Sequence, residues 1–315
     1  MDEQILSLLR TKLPRVSGEI ERLMRSSIRL KTRPVDETTL PLGASRIGGA
    51  PDLPPEIEWP EWKGKPLSFI AQIHLADIAA LDREQLLPHT GVLYFFYDVE
   101  QSTSGFDPKD KGSFRVLSYS GDLSRLVRTP RPGPLPWSAV YKPCALEFSA
   151  DLTLPPVGST EMDSLNLTNN PPRFRMIPIP GTDTYRFEDA LAARGPAPPN
   201  KEFEDYVDLL DKVAQLKGAT IHRMLGYPDE IQGDMRWECQ LVSHGIYVGD
   251  PTGFQSPEAA QLQAGAEDWL LLLQVDSDEN ASMMWGDSGR IYYWIRKQDL
   301  AQRDFSKVWM ILQCY

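Results

Sequence analysis

The sequence predicts an α+β fold, mainly antiparallel sheets with added helices, and three observations carry that expectation. Aromatic and β-branched runs of strand length recur without a regular strand–helix–strand rhythm. Stretches at helical spacing are confined to the N-terminus and to the region after residue 200. Three features of the first half also return, in the same order, in the second half, which predicts two related halves.

Taken in chain order, Ile5, Leu8 and Leu9, then Ile20, Leu23, Met24 and Ile28, fall at helical spacing broken at Pro14, predicting two short amphipathic helices. Strands are predicted at "GVLYFFYDV" (91–99), "SFRVLSYS" (113–120) and "CALEFSADLTL" (144–154), separated by turn-forming Gly, Pro, Asp and Ser. After the proline-rich "RGPAPPN" (194–200), Asn200 is placed to cap a helix. Its buried stripe is Phe203, Tyr206, Val207, Leu210, Val213 and Leu216, and Gly218 ends it. "SPEAAQLQAG" repeats this grammar with Ser256 as cap, Pro257 in the first turn and Gly265 as stop. The last strands are "WLLLLQV" (269–275), "GRIYYWI" (289–295) and "VWMILQCY" (308–315). The expected organisation is an N-terminal helical segment (1–44), a β-rich first half (45–195) and an α+β second half (196–315), packed as one globular unit.

The repeat is specific in its order. "RIGGAPDLP" (46–54) answers to "RMLGYPDEI" (223–231), "FIAQI" (69–73) to "LLLQV" (271–275), and "GVLYFF" (91–96) to "GRIYYW" (289–294). These strings, together with "ECQ", "MMWGDSG", "DFS" and "ILQC", resemble the YwqG-like family, the bacterial domain of unknown function 1963, from about Ser45 to the C-terminus. The resemblance implies an α+β fold rich in antiparallel sheet. It carries no settled activity and no catalytic residues. Some members lie near secreted-toxin systems, which implies an immunity-type role as one expectation.

Composition narrows the function classes. With 44 acidic against 33 basic residues the formal net charge is -11, so a broad footprint for nucleic-acid phosphates or anionic lipid is not expected, and a basic partner is favoured. No apolar run approaches the length of a membrane span, and the start of the chain is not basic-then-apolar. Three cysteines, Cys144, Cys239 and Cys314, lie far apart with no CxxC, which fits a reducing cytoplasm rather than a disulfide framework or a cysteine zinc site.

Candidate sites follow from residue chemistry. Gly48 and Gly49 permit close backbone approach, Pro51, Pro54 and Pro55 stiffen the path, and Asp52 offers acceptors beside Trp59 and Trp62. The spacing is neither GxGxxG nor a phosphate loop, so a rigid turn is the alternative. "DSDENAS" (276–282) alternates Asp276, Asp278, Asn280 and Ser282 as calcium loops do, with Asp287 at the twelfth place. Ala281, however, stands where such a loop needs glycine, and a solvated hairpin connection is the alternative. The four histidines form no HExxH, no GxSxG elbow is present, and Cys239 near His244 is weak support for a nucleophile, so no catalytic residue is assigned.

Two functions remain. The first is a cytoplasmic protein-binding module of toxin-immunity type, using an acidic surface and any aromatic strand face left open. The second is a small-ligand-binding protein or enzyme with a cleft between the halves, lined by Asp52, Trp59, Gln72, Asp229 and Gln274, without a required cofactor beyond the calcium considered above.

Overall fold

The structure is a computed structural model that describes residues 2–133, 139–157, 159–163, 165, 167, 174–178, 185–189, 201–218 and 220–315. Ten strands form one sheet: β1 (Arg25–Pro34), β2 (Arg46–Ile47), β3 (Ser68–His74), β4 (Val92–Tyr97), β5 (Phe114–Tyr119), β6 (Cys144–Thr153), β7 (His222–Met224), β8 (Trp269–Asp276), β9 (Arg290–Arg296) and β10 (Trp309–Gln313). Their order is β10-β9-β8-β7-β1-β6-β2-β3-β4-β5, and every neighbouring pair is antiparallel. The α+β expectation holds: the sheet curls almost into a barrel and helices are added to it.

This order reads the same from either end. At its centre β1 and β6 pair over their full length, Arg25 to Thr153 through Pro34 to Cys144. Each then meets a short strand far from it in sequence. Ile28 on β1 faces Met224 on β7, and Cys144 on β6 faces Ile47 on β2. Outward from there, Arg46 faces Gln72 and Gln72 faces Tyr94, just as Arg223 faces Gln274 and Gln274 faces Tyr292. The register slips once in β3–β4, between Phe69 and Ala71, and once in β8–β9, between Leu271 and Leu273, the residues standing the same distance before Gln72 and Gln274.

Alternation along the strands builds two layers of core. On β4, Leu93, Phe95 and Tyr97 point into the main core, where Phe95 packs edge-on against Tyr293 of β9 at 5.1 Å and Tyr97 against Trp285 at 6.1 Å. The alternate residues Val92, Tyr94 and Phe96 face an outer cluster with Leu53, Leu67 and Phe69. Neither face of β4 is open, and β9 is likewise buried from Ile291 to Ile295. The edge strands are covered too. Phe114 of β5 meets Trp309 of β10 at 5.3 Å, and the Leu312 N–H donates to the Ser104 carbonyl at 3.0 Å.

A separate cluster joins three helices: α1 (Asp2–Lys12), α2 (Ser17–Leu23) and α3 (Lys201–Lys217). Ile5, Leu9, Leu13 and Ile20 bury against Tyr206, Leu209 and Val213. The expected second helix stops before Ile28, which lies in β1. There the pattern Ile28, Leu30, Thr32 has a period of two and buries those residues. On α3 the inward stripe takes Leu209 and the stem of Lys217 where Leu216 was expected, and Leu216 is exposed. Gly218 (φ 91°) ends this helix in the left-handed conformation that glycine tolerates. The cap expected at Asn200 lies outside the described residues. Ser256 caps its helix as expected, accepting from the Ala259 N–H, but α-helical geometry runs only from Pro257 to Leu262 and gives way to a 3-10 turn containing Gly265.

Candidate functional site

The two Pro-Asp turns are built from the same bonds. In the first, Gly48 and Gly49 take φ of 68° and 71°. In the second, Leu225 and Gly226 take 61° and 72°, so the chain turns back in the left-handed region both times. The Asp52 N–H donates to Gln72 Oε1 (2.7 Å), the Gln72 amide donates to the Ala44 carbonyl (2.9 Å) and to Asp52 Oδ2 (3.1 Å), Arg46 donates to the Ala50 carbonyl, and the Tyr94 hydroxyl donates to the Asp52 carbonyl at 2.7 Å. In the second turn, the Asp229 N–H donates to Gln274 Oε1 (2.9 Å), the Gln274 amide donates to the Ile221 carbonyl (2.8 Å) and to Asp229 Oδ2 (2.9 Å), Arg223 donates to the Tyr227 carbonyl, and the Tyr292 hydroxyl donates to the Asp229 carbonyl at 2.7 Å. Arg46 pairs with Asp52 at 2.5 Å and Arg223 with Asp229 at 2.8 Å. Each Gln thus closes a loop onto its own turn with both ends of its amide, which an apolar strand residue could not do.

They differ in what lies outside them. Asp52 is fully buried, and its second oxygen, Oδ1, accepts from Arg128 Nε at 2.6 Å. Arg128 stands on the segment Val127–Arg128 that pairs with Asp52–Leu53, and its other nitrogens donate to the carbonyls of Glu37 and Leu40. Asp229 has no such cover. Its side chain is 28% exposed, and among the described residues no donor meets its Oδ1. Arg290 lies beside it, donating to the Asp229 carbonyl (3.2 Å) and pairing with Asp276 (3.1 Å).

Asp229 opens on a cavity of about 1340 Å³, walled by α3, by β7 and the turn after it, by helix α4 (Arg236–Ser243) and by the segment around Phe254 and Ala264. The volume exceeds what a drug-sized ligand needs. Its wall carries Trp237 and Phe254, stacked edge-on at 5.0 Å. All four basic side chains of the wall are already paired: Lys217 with Asp151, Arg223 with Asp229, Arg236 with Glu161 and Asp234, and Arg290 with Asp276. Among the described residues seven acidic side chains line the same wall, five of them besides Glu230 and Glu238, against these four paired cations. Burial, reinforced by Asp234, pushes the Glu238 carboxyl up to about 8 and holds Glu230 well above the ordinary carboxylate range. Glu238 Oε2 is buried without a hydrogen-bond partner among the described residues.

The sequence-predicted residues therefore separate. Asp229 lines the cavity and Gln274 holds it from behind. Asp52 and Gln72 lie in the sealed counterpart, and none of these first-half residues reaches the cavity. Trp59 is a wall of the fold, its indole N–H donating to the Leu67 carbonyl and its ring packed on Phe96 at 5.5 Å. The cavity is lined by Thr153, Leu154, Pro156, Val157 and Thr160 of the first half together with second-half residues, and of the predicted site residues Asp229 alone is among its described lining. Lys217, Glu230, Glu238 and Arg290 escaped sequence reasoning, since only the packing of α3 and α4 around the turn brings them together.

The acidic hairpin after β8 is built inward. Asp276 Oδ2 accepts from the Ile221 N–H and Asp276 Oδ1 pairs with Arg290. Asp278 Oδ2 accepts from the Thr32 hydroxyl at 2.6 Å and lies 3.1 Å from His222 Nε2, while Oδ1 accepts from the Asn280 N–H. Because His222 Nδ1 accepts from the Asp276 N–H, the ring carries its proton on Nε2 and donates it to Asp278. Asp287 is exposed, apart from these groups, and among the described residues no three His, Cys, Asp or Glu converge as metal ligands. Burial pushes the Cys144 thiol up to about 11 and Cys239 well above the ordinary thiol value, so both are protonated at neutral pH. No described helix is long and apolar enough to cross a membrane.

A family model described as a domain of unknown function, DUF1963, matches residues 45–314. No curated protein matches the chain.

Proposed function

The chain belongs to the DUF1963 family, and from that premise we propose that it is a small-molecule-binding protein whose site is the cavity against the Arg223–Asp229–Gln274–Tyr292 bridge. The observation that carries this reading is the contrast between the two bridges: the same scaffold is filled from within at Asp52 and faces a cavity at Asp229. We infer that the halves are copies of one unit, and that the second copy kept an open position which the first closed. A toxin-immunity role that uses an open aromatic strand face has less support, because the aromatic strands β4 and β9 are buried on both faces.

The test is a thermal-shift screen of the full chain against metabolites spanning cations, anions and neutral compounds, run beside Ala214→Trp. Ala214 is an exposed residue on the cavity wall, so the new ring enters the cavity without disturbing the core. At least one compound class is expected to raise the melting temperature of the wild type and not of the variant. A screen in which no compound distinguishes the two overturns the reading.

A further inference from the structure

We propose that the cavity takes a small organic cation, a guanidinium or primary amine carried on a short chain, seated on Asp229 as the Arg128 side chain is seated on Asp52. This rests on the reading of the cavity as a small-molecule site and deepens it to a ligand class.

The first bridge contains the chemistry in question. There, one carboxylate oxygen of Asp52 is held by its own turn, through Arg46, Gln72 and the Gly43 N–H, and the other is given to an incoming guanidinium. Arg128 completes its fit by donating to two backbone carbonyls of the 37–40 segment, so the charged group is met by a carboxylate on one side and by neutral acceptors on the other. In the second bridge the same inner oxygen of Asp229, Oδ2, is held by Arg223 and Gln274, and Oδ1 has no donor among the described residues. The position that Arg128 fills in one bridge is thus open to the cavity in the other.

The wall agrees in charge. Its four cations among the described residues are each fixed to a carboxylate, whereas Asp211, Asp250 and Glu267 have no cation within ion-pair distance among the described residues. An anion entering the cavity would meet that excess with no unpaired cation among the described residues to receive it, and a positive ligand would relieve it.

The experiment is isothermal titration of the full chain with agmatine, which carries both cationic groups, with glutarate as an anion and glycerol as a neutral compound. Agmatine is expected to bind, the other two to give no heat, and binding to weaken as salt is raised. Asp229→Asn is expected to weaken agmatine about tenfold or more. Where that variant does not fold, Asp211→Asn/Glu267→Gln decides: both residues are exposed on the wall, the change leaves every ion pair of the wall in place, and it is expected to weaken agmatine about twofold or more. Agmatine binding that is unchanged in a folded variant overturns the proposal. Binding of glutarate or glycerol in place of agmatine overturns the cation class and leaves the cavity reading standing. Absence of binding by all three, together with a blank metabolite screen, removes both.

Discussion

At the scale of single residues, Asp52 and Asp229 occupy the same place in the same bonding pattern, and their surroundings set different consequences for losing them. Asp52 compensates two guanidinium groups from a fully buried position, so Asp52→Ala leaves Arg46 and Arg128 without a counter-charge and is expected to cost about 3–5 kcal/mol. Asp229 compensates only Arg223, at the edge of a cavity that admits water, and Asp229→Ala is expected to cost about 1–2 kcal/mol. Chemical denaturation of the two variants checks the inequality, and equal losses would refute it. Glu238 supplies a pH dependence of defined sign. Its carboxyl titrates near 8 in the folded chain, against an ordinary value of 4.5, so the folded state holds a proton that the unfolded state has released. Stability from this group is therefore highest below pH 4.5 and falls as pH rises toward 8. Glu238→Gln removes the effect, and its advantage over the wild type in melting experiments is expected to grow from pH 5 to pH 9, reaching about 1–3 kcal/mol. An advantage that shrinks with pH would show that Glu238 is ionised throughout. Of these residues, Asp229 was legible in the sequence because its turn is repeated. Glu238 and Arg128 were not: Arg128 reaches Asp52 across 76 positions, and nothing in local pattern announces such a partner.

At the scale of elements, the turns show how the same backbone path is met by different residues. An ideal Cβ at Gly48 would stand 2.2 Å from the Lys142 carbonyl oxygen, a backbone atom that cannot swing aside, and the residue has φ of 68°. Leu225 holds the matching conformation at φ 61° with its side chain buried, so there the left-handed strain is accepted in exchange for packing. Gly48→Ala is accordingly expected to cost more than the about 1 kcal/mol of an ordinary glycine replacement, at least 2 kcal/mol, read as a lowered denaturation midpoint. A neutral substitution would mean that the backbone at Lys142 can move away from Gly48. The strands around these turns were legible because aromatic and branched residues alternate between two buried layers. β1 was not, because Ile20, Leu23, Met24 and Ile28 happen to continue a helical spacing across the end of α2, and the period of two that governs Ile28, Leu30 and Thr32 begins only afterwards. The hairpin after β8 was legible as acidic, but its direction was not: Asp276 and Asp278 are buried on Ile221, Arg290, Thr32 and His222, contacts that no spacing reveals.

At the scale of the whole molecule, the sheet order ties the two parts of the chain together at their first strands. β1 precedes residue 133, yet it lies between β6 and β7, which follow residue 139, and β6 in turn lies between β1 and β2. Neither part can complete its own sheet, since each would expose an unpaired central strand and half of the shared core, where Phe95 meets Tyr293 and the Tyr293 hydroxyl donates to the Phe96 carbonyl. Helices α1 and α2 likewise bury their apolar stripe on α3, so the second cluster is shared as well. Fragments 1–133 and 139–315, produced separately, are therefore expected to show no cooperative thermal unfolding. Mixed or co-expressed, they are expected to associate one to one and to recover a cooperative transition, because ten residue pairs of β1 and β6 and the whole aromatic core form only in the complex. Calorimetry with size-exclusion light scattering reads both outcomes. If fragment 139–315 alone melted cooperatively as a monomer, β1 would be dispensable to the second part, and the exchange of first strands would not be what holds the molecule together.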